Sequence, residues 1–433
     1  MNSNQDLPGL KHAFERRRRP LYPEGHHGPH APQVPMVSVI GFGAMRIAED
    51  EDEPGSGKAA LLHALRLGVN LIDCGGTSFD AQNELAVGQV LREFGNSTTA
   101  ASSAPVLVTR VGALRGRNLE YFFARERRND TAEVFFLQNG DAVTFAAENL
   151  RAQIAASCSR LGVAKLDAVL LDTPELFLQY ARERRIDPST ARQQLVQKLA
   201  EAFGALNEMA AEGLIGSYGI SSQVIGYPLN HPARIDIDDV FNAIELMQQR
   251  ASSQSSTQRS EGGSQSFFRL VAMPLNWIEL TGVEPSHEGA EPLLDKLRQR
   301  GVGVLACRPL NALSRGKLVR LARPDLGEAK LNSLNEAQMR GLENWAQLSL
   351  DLERMAQEVI EHIGYDDAPL SQLALATVAS LPEVSSVLVG MRRVSYVEDA
   401  LEALARPIIL RGREIIAKIH DNLVFDTGDS PVP

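Results

Sequence analysis

Short apolar runs alternate with amphipathic stretches from residue 37 onward, and this alternation dominates the chain. The runs at 37–42, 69–73, 106–111, 166–171, 215–220, 270–275, 302–307 and 386–389 are rich in Val, Leu and Ile. Runs of this length suit strands covered on both faces, as in a parallel sheet. Between them, helical spacing predicts helices over 58–67, 84–94, 146–161, 191–211, 291–300 and 370–381. A long additional helix is expected over 336–363 and a last one over 411–422. Gly68 supplies a normal stop for the first helix. Strands joined by right-handed helical crossovers can close on themselves, so the expected fold is α/β, a (β/α)8 TIM barrel with surface insertions.

Two stretches exceed a minimal barrel. Residues 112–140 are long and charged at 125–128, and residues 252–265 read SSQSSTQRSEGGSQ, with nothing to pack into a core. Both are expected as surface insertions. Residues 1–36 hold Pro8, Pro20, Pro23, Pro29, Pro32 and Pro35 and a run of arginines over 16–19, a composition expected to form a flexible tail. The barrel is then expected over 37–424, with a second polar tail over 425–433. A chain of 433 residues fits this single large domain.

Charge narrows the function classes. Asp and Glu number 54 against 44 Lys and Arg, a net charge of −10 that disfavours nucleic acid and anionic membranes as partners. No stretch reaches the ~20 consecutive apolar residues a membrane helix needs. The three cysteines, Cys74, Cys158 and Cys307, form no CxxC pair, which argues against disulfides and thiolate zinc and for a reducing compartment. A cytoplasmic location is expected. Mitochondrial import on the basic tail is the alternative, opposed by Asp6, Glu15 and the lack of an apolar signal core. His26, His27 and His30 are read as solvated tail residues, and no metal is expected.

The most specific signals are local motifs. Residues 70–88 read NLIDCGGTSFDAQNELAVG, 37–45 read VSVIGFGAM, and 166–175 read LDAVLLDTPE. Further along stand YGISS at 218–222, MPLNWIE at 273–279, RPLNA at 308–312 and VLVGMRR at 387–393. In this order the segments resemble the aldo-keto reductase superfamily, and the wording at 308–312 and 390–401 resembles its galactose-dehydrogenase-related branch. The specificity lies in the recurrence of several segments in one order, since each alone is weak.

The resemblance implies reduction of a small carbonyl or sugar substrate with hydride from NADP(H) and a proton from a Tyr. In such a site a Lys lowers the Tyr pKa, an Asp pairs with the Lys, and a His orients the carbonyl oxygen. The cation is needed because a phenol near pKa ~10 is a poor acid without it. Asp73 matches the Asp. Ser78 stands in the Tyr position with Phe79 beside it, Arg110 in the Lys position, and Asp172 in the His position. A serine hydroxyl is too weak and too short to replace the phenol. Arg keeps the charge, but its planar fork suits a structural clamp, and a carboxylate facing a developing alkoxide opposes the reaction. The expected arrangement is a charge-paired network in which Arg110 bridges Asp73 and Asp172. A substituted proton donor from elsewhere, such as Tyr121 or Tyr180, is the alternative. Cys74 and Cys307 are expected in the core, and Glu279 carries no assigned role.

The same resemblance implies a cofactor site. Gly390, Met391, Arg392 and Arg393, opening a helix towards Asp399, offer guanidiniums and a helix N-terminus to a phosphate. Arg308, Pro309, Leu310 and Asn311, with Gly316 and Lys317, correspond to a pyrophosphate loop. Gly43 and Met45 lie at the opening glycine turn, and Ser221 and Ser222 at the nicotinamide end. Ala272 stands where the family's Gln would hold the carboxamide, so NADP binding is expected but weakened by roughly tenfold, the value of one hydrogen bond. The functional expectation is a catalytically impaired family member that still binds NADP(H) and serves a binding or assembly role, the 112–140 insertion offering a protein-partner surface. An active NADP-dependent oxidoreductase with a rearranged site is the alternative.

Overall fold

The computed structural model describes residues 17–24, 33–49, 55–75, 81–97, 104–116, 119, 133–227, 231–254, 265–280, 282–285, 289–314, 317–324, 332–360 and 364–426. Ser78, Tyr121, Gly316, the three tail histidines, residues 120–132 and 255–264, and the C-terminal tail from 427 lie outside them.

The first described strands are β1 (Arg18–Pro20), β2 (Met36–Ser38), β3 (Ile40–Gly43), β4 (Leu71–Asp73) and β5 (Val106–Val111). After β5 come three short strands, β6 (Ala113–Leu114), β7 (Val134–Phe136) and β8 (Ala142–Thr144), then β9 (Leu166–Asp172), β10 (Ile215–Ser221), β11 (Phe268–Pro274) and β12 (Gly303–Cys307). The last three are β13 (Asn311–Ser314), β14 (Lys317–Arg320) and β15 (Val384–Val389). Strands β3, β4, β5, β9, β10, β11, β12 and β15 close into a barrel in that order. Every pairing in it is parallel. This is the expected (β/α)8 architecture, and each barrel strand falls on an apolar run read from the sequence.

The helices are α1 (Ser56–Leu67), α2 (Gln82–Ser97), α3 (Ala147–Leu161), α4 (Leu176–Glu183), α5 (Pro188–Ala211) and α6 (Ile237–Gln254). They continue as α7 (Leu293–Gln299), α8 (Glu336–Ile360), α9 (Leu370–Ala379), α10 (Val394–Ala405) and α11 (Gly412–Asp426). Helices α4 and α6 add to those expected. In α6 the buried positions Val240, Phe241, Ala243 and Met247 carry the helical period, and Asp238 and Asp239 suit its first turn.

Two apolar layers follow from the strand period of two. Alternate residues pack outward against the helices, while Leu71, Val108, Leu170, Leu270 and Leu305 fill the interior. Two residues beyond Leu71, Val108, Leu170 and Leu305, on the same face, stand Asp73, Arg110, Asp172 and Cys307. The interior therefore ends in a polar layer at the C-terminal mouth, where barrels carry their chemistry. Strand β10 reaches β11 closely because Gly219 has no side chain. A Cβ there would lie 1.9 Å from the Leu270 carbonyl oxygen.

One sequence expectation needs revision. Composition alone predicts a flexible tail over 17–24, but β1 pairs antiparallel with β2 and closes the barrel floor. Leu21 and Tyr22 are buried with Val34 and Val37 against the interior. Arg19 donates to the carbonyls of Leu381 at 2.7 Å, Val384 at 2.6 Å and Ala379 at 2.8 Å, satisfying groups around the end of α9. Average composition hides two apolar residues and one guanidinium with specific partners. The described ends of the 112–140 segment, with β8 just beyond it, form a small antiparallel sheet, β6–β8–β7.

Candidate functional site

At the mouth, Arg110 is the centre of the polar layer. Its Nη2 donates to Asp73 Oδ2 at 2.5 Å, and its Nη1 lies 3.7 Å from Asp172 Oδ1. A longer contact of 3.8 Å reaches the Cys307 thiol. Burial opposes the guanidinium charge, but Asp73, Cys307 and Asp172 outweigh it and raise the Arg110 pKa above its ordinary value. The cation stays charged and oriented towards Asp73. Asp172 is buried, yet its Oδ1 accepts no hydrogen bond. Its Oδ2 lies 4.0 Å from Arg115, which also reaches Asp141 at 3.4 Å.

A second carboxyl sits one turn beyond Asp172. Glu175 is buried, and its pKa is pushed up to about 7, first by burial and secondarily by Asp172, with the Gln223 amide opposing. That amide donates to Oε1 at 2.8 Å, whereas Oε2 accepts no hydrogen bond. Cys307 is edge core rather than deep core, and burial lifts its thiol to about 11 despite Arg110. Cys74 is fully buried, its thiol raised by burial and by the Glu84 and Asp73 carboxylates. Neither thiol is poised as a nucleophile.

The polar layer opens into a cleft of about 1030 Å³ along the ends of β3, β12 and β15. Gly43, Met45, Arg308, Pro309, Leu310, Asn311, Gly390, Arg392, Arg393 and Asp399 all line it, together with Asp73, Arg110 and Asp172. Among the sequence candidates, Ser221 and Ser222 are buried beside the mouth, and Met391 turns into the core. Lys317 is exposed on β14 and is not among the lining residues. Tyr180 belongs to an aromatic cluster with Phe135 and Phe177, its ring covered by Arg184 at 3.9 Å.

Several lining residues carried no sequence signal: Arg46, Arg115, Gln223, Arg320, Arg323, Trp345 and Tyr396. Arg46 and Arg392 share one carboxylate oxygen, Glu49 Oε2. Arg46 Nε donates to it at 2.6 Å, and Arg392 lies 3.7 Å away. Glu279 also acquires a place. It accepts from Arg308, from Asn276 at 2.9 Å and from the Leu313 amide at 3.0 Å. It thereby fixes the turn between β12 and β13, where Arg308 has a left-handed φ of 53°. In all, eight arginines and three aspartates line a cleft in a chain whose net charge is −10. Glu49, Glu279 and Glu353 behind the wall pair with Arg46, Arg308 and Arg323, which leaves a smaller excess of positive charge at the cleft, still against the overall sign.

Residues 39–254 match the profile of the Aldo/keto reductase family. The chain carries an aldo/keto reductase domain. Solved structures agree on the fold. Aldo-keto reductase AKR11C1 from Bacillus halodurans, in its holo form, is 20% identical over 93% of this chain and 96% of its own, with a TM-score of 0.53. The glycerol dehydrogenase AKR11B4 from Gluconobacter oxydans is 15% identical over 92% of this chain and 94% of its own, also with a TM-score of 0.53. No curated protein sequence matches the chain. Among the described residues no helix is long and apolar enough to cross a membrane, and no cluster of ligands could hold a metal ion.

Proposed function

We propose that this aldo/keto reductase domain binds NADP(H) but lacks the family's proton-donating machinery, and so works as a binding or assembly protein rather than as a reductase. The observation that carries the reading is Asp172, a buried carboxylate 3.7 Å from Arg110 where a working site holds a neutral group, while the 2.5 Å pair of Arg110 with Asp73 keeps the pattern of such a site. In a working site a cation lowers the pKa of a phenol and a neutral group steadies the carbonyl oxygen. Here the cation is held between two carboxylates, and Asp172 would face the oxygen as negative charge develops on it. Ser78, in the phenol's sequence position, has no proton of comparable acidity to give.

The residues present fit a dinucleotide. Helix α10 begins without a side-chain cap; Tyr396 and Val397 donate to the Arg393 carbonyl, and the Val394 and Ser395 N–H groups stand at the helix start, where an anion is favoured. A Cβ at Gly390 would meet nothing within 4 Å, so a phosphate can approach the backbone at that turn. Arg392 and Arg393 supply the charge, and the turn from Arg308 to Asn311 supplies a second wall. Ser221 Oγ, buried and without a hydrogen-bond partner, is available to a polar group at the nicotinamide end. When bound, the cofactor supplies a hydride. The chain's residues bind it, orient it and exclude water.

The deciding experiment pairs a calorimetric NADPH titration with turnover on aldehydes, ketones and quinones. Binding without turnover is expected, with activity gained in the triple variant Ser78→Tyr, Arg110→Lys, Asp172→His. NADPH-dependent reduction by the unaltered protein, abolished by Asp73→Asn, would overturn the proposal in favour of an active oxidoreductase. Absence of NADPH binding would overturn its other half.

A further inference from the structure

A second cavity, of about 200 Å3, lies at the floor of the barrel, the end opposite the cleft. Arg17, Arg18 and Arg19, in and just before β1, line it with Leu404, Ile408 and Ile409. It shares no lining residue with the cleft. Its place follows from the chain path. Strand β1 pairs with β2 just ahead of β3, and Arg19 donates to the Leu381 and Val384 carbonyls where β15 begins.

The cavity walls are held by specific bonds. Arg17 Nη2 donates to the Arg406 carbonyl at 2.5 Å, and the buried Tyr365 hydroxyl donates to the Pro407 carbonyl at 2.7 Å. The loop that carries Ile408 and Ile409 is thereby fixed where it leaves α10. A cavity of about 150 Å3 accommodates one benzene ring, so this one has room for a ligand of roughly eight heavy atoms.

Among the described residues no Asp or Glu lines the cavity. Nearby carboxylates are engaged by other arginines: Glu383 by Arg413 at 2.9 Å and Arg298 at 3.6 Å, and Asp367 by Arg406 at 2.7 Å. Arg17 and Arg19 bond backbone carbonyls and form no ion pair among the described residues, and Arg17 keeps Nε and Nη1 without a protein acceptor there. Burial lowers the pKa of both guanidiniums; at Arg19, Glu383 offsets part of this and the Arg17 charge adds to it. Two half-buried cations side by side, with no carboxylate between them, favour an anion. An inorganic anion would use the guanidiniums alone. The apolar lining, with Ile408 58% exposed, offers area that a hydrocarbon chain would cover.

We propose that the floor cavity binds a small organic carboxylate with a short hydrocarbon chain, its carboxylate on Arg17 and its chain against Leu404, Ile408 and Ile409. The site goes beyond the dinucleotide reading of the cleft and does not depend on it.

The full chain is titrated by calorimetry with isocaproate, isohexanol and inorganic phosphate at constant ionic strength. Saturable binding of isocaproate is expected, with the alcohol and phosphate each bound about tenfold or more weakly. Arg17→Gln should weaken isocaproate binding about ten- to a hundred-fold, the range for one hydrogen bond to a charged group. Ile408→Glu changes an exposed side chain, brings a carboxylate to the cavity and should weaken binding as well. If Arg17→Gln does not fold, Ile408→Glu alone decides. Absence of isocaproate binding overturns the proposal. Phosphate bound as tightly would mark an inorganic-anion site and overturns it, and so does equal binding of the alcohol, which would remove charge as the determinant. Undiminished binding in the folded variants would place isocaproate elsewhere, the arginine-lined cleft included, and overturns it too.

Discussion

Arg110 reaches Asp73 at 2.5 Å but approaches Asp172 only to 3.7 Å, so the buried cation has one short partner and one loose one. The asymmetry follows from register. Asp73 closes β4 and pairs with Val108, two residues before Arg110, whereas Asp172 lies beyond the last paired residue of β9 opposite β5. Removing the guanidinium leaves buried Asp73 without its counter-charge and Asp172 with only Arg115, 4.0 Å away. Arg110→Met is expected to destabilise the fold by about 3–5 kcal/mol, as for other broken buried pairs. Arg110→Lys should lose less, since it keeps the charge. Urea unfolding of the two variants checks the order; equal losses would mean that charge is not what the position supplies.

Glu175 gives the fold a pH signature. Its pKa is raised to about 7 in the folded state, so the folded protein keeps a proton that the unfolded chain releases above its ordinary value near 4.5. Stability from this group is therefore full below about pH 4.5 and is lost as pH rises through 7, by about 3 kcal/mol in total. Glu175→Gln should flatten that limb of the curve. Denaturation midpoints between pH 5 and pH 8 measure it, and an unchanged slope in the variant would remove Glu175 as the cause.

Glu49 occupies the charge of Arg46 and competes loosely for Arg392. A ligand phosphate at Arg392 would feel that carboxylate as a like charge. Glu49→Gln is expected to tighten NADP(H) binding relative to NAD(H) by about three- to ten-fold at low salt, with the gain shrinking as salt screens it. Parallel titrations with both dinucleotides decide the matter. An equal change for the two would place Glu49 away from the extra phosphate.

Leu21 lies fully buried in the barrel floor. Leu21→Ala should cost about 2–5 kcal/mol, the range for truncating a buried leucine. A thermal or chemical unfolding curve indistinguishable from the parent would return residues 17–24 to a tail that contributes nothing.

The barrel was legible because its evidence is local and repeated. Each strand announces itself as an apolar run, and Asp73, Arg110 and Asp172 each stand at the end of one. Their meeting at the mouth follows from the fold class and the strand period. The glycine turn at 390 and the arginines beside it follow the last barrel strand in the same way, and they line the cleft.

Other features had no local sign. Arg320, Arg323 and Trp345 lie in and beyond a ribbon and in a helix whose sequences resemble any solvated surface, and only the fold brings them to the wall of the cleft that Tyr396 also lines. Glu279 gained its role from partners at 276, 308 and 313, held together by the turn it stabilises. The tail's composition pointed to disorder until Leu21 and Arg19 met the barrel floor and the end of α9. By itself the sequence determined which residues end each strand, and so that Asp73, Arg110 and Asp172 stand at strand ends. The tertiary structure decided which of those charges neutralise one another and which face the cleft. Those outcomes depend on distances of a few ångströms between segments hundreds of residues apart, and no local pattern encodes them.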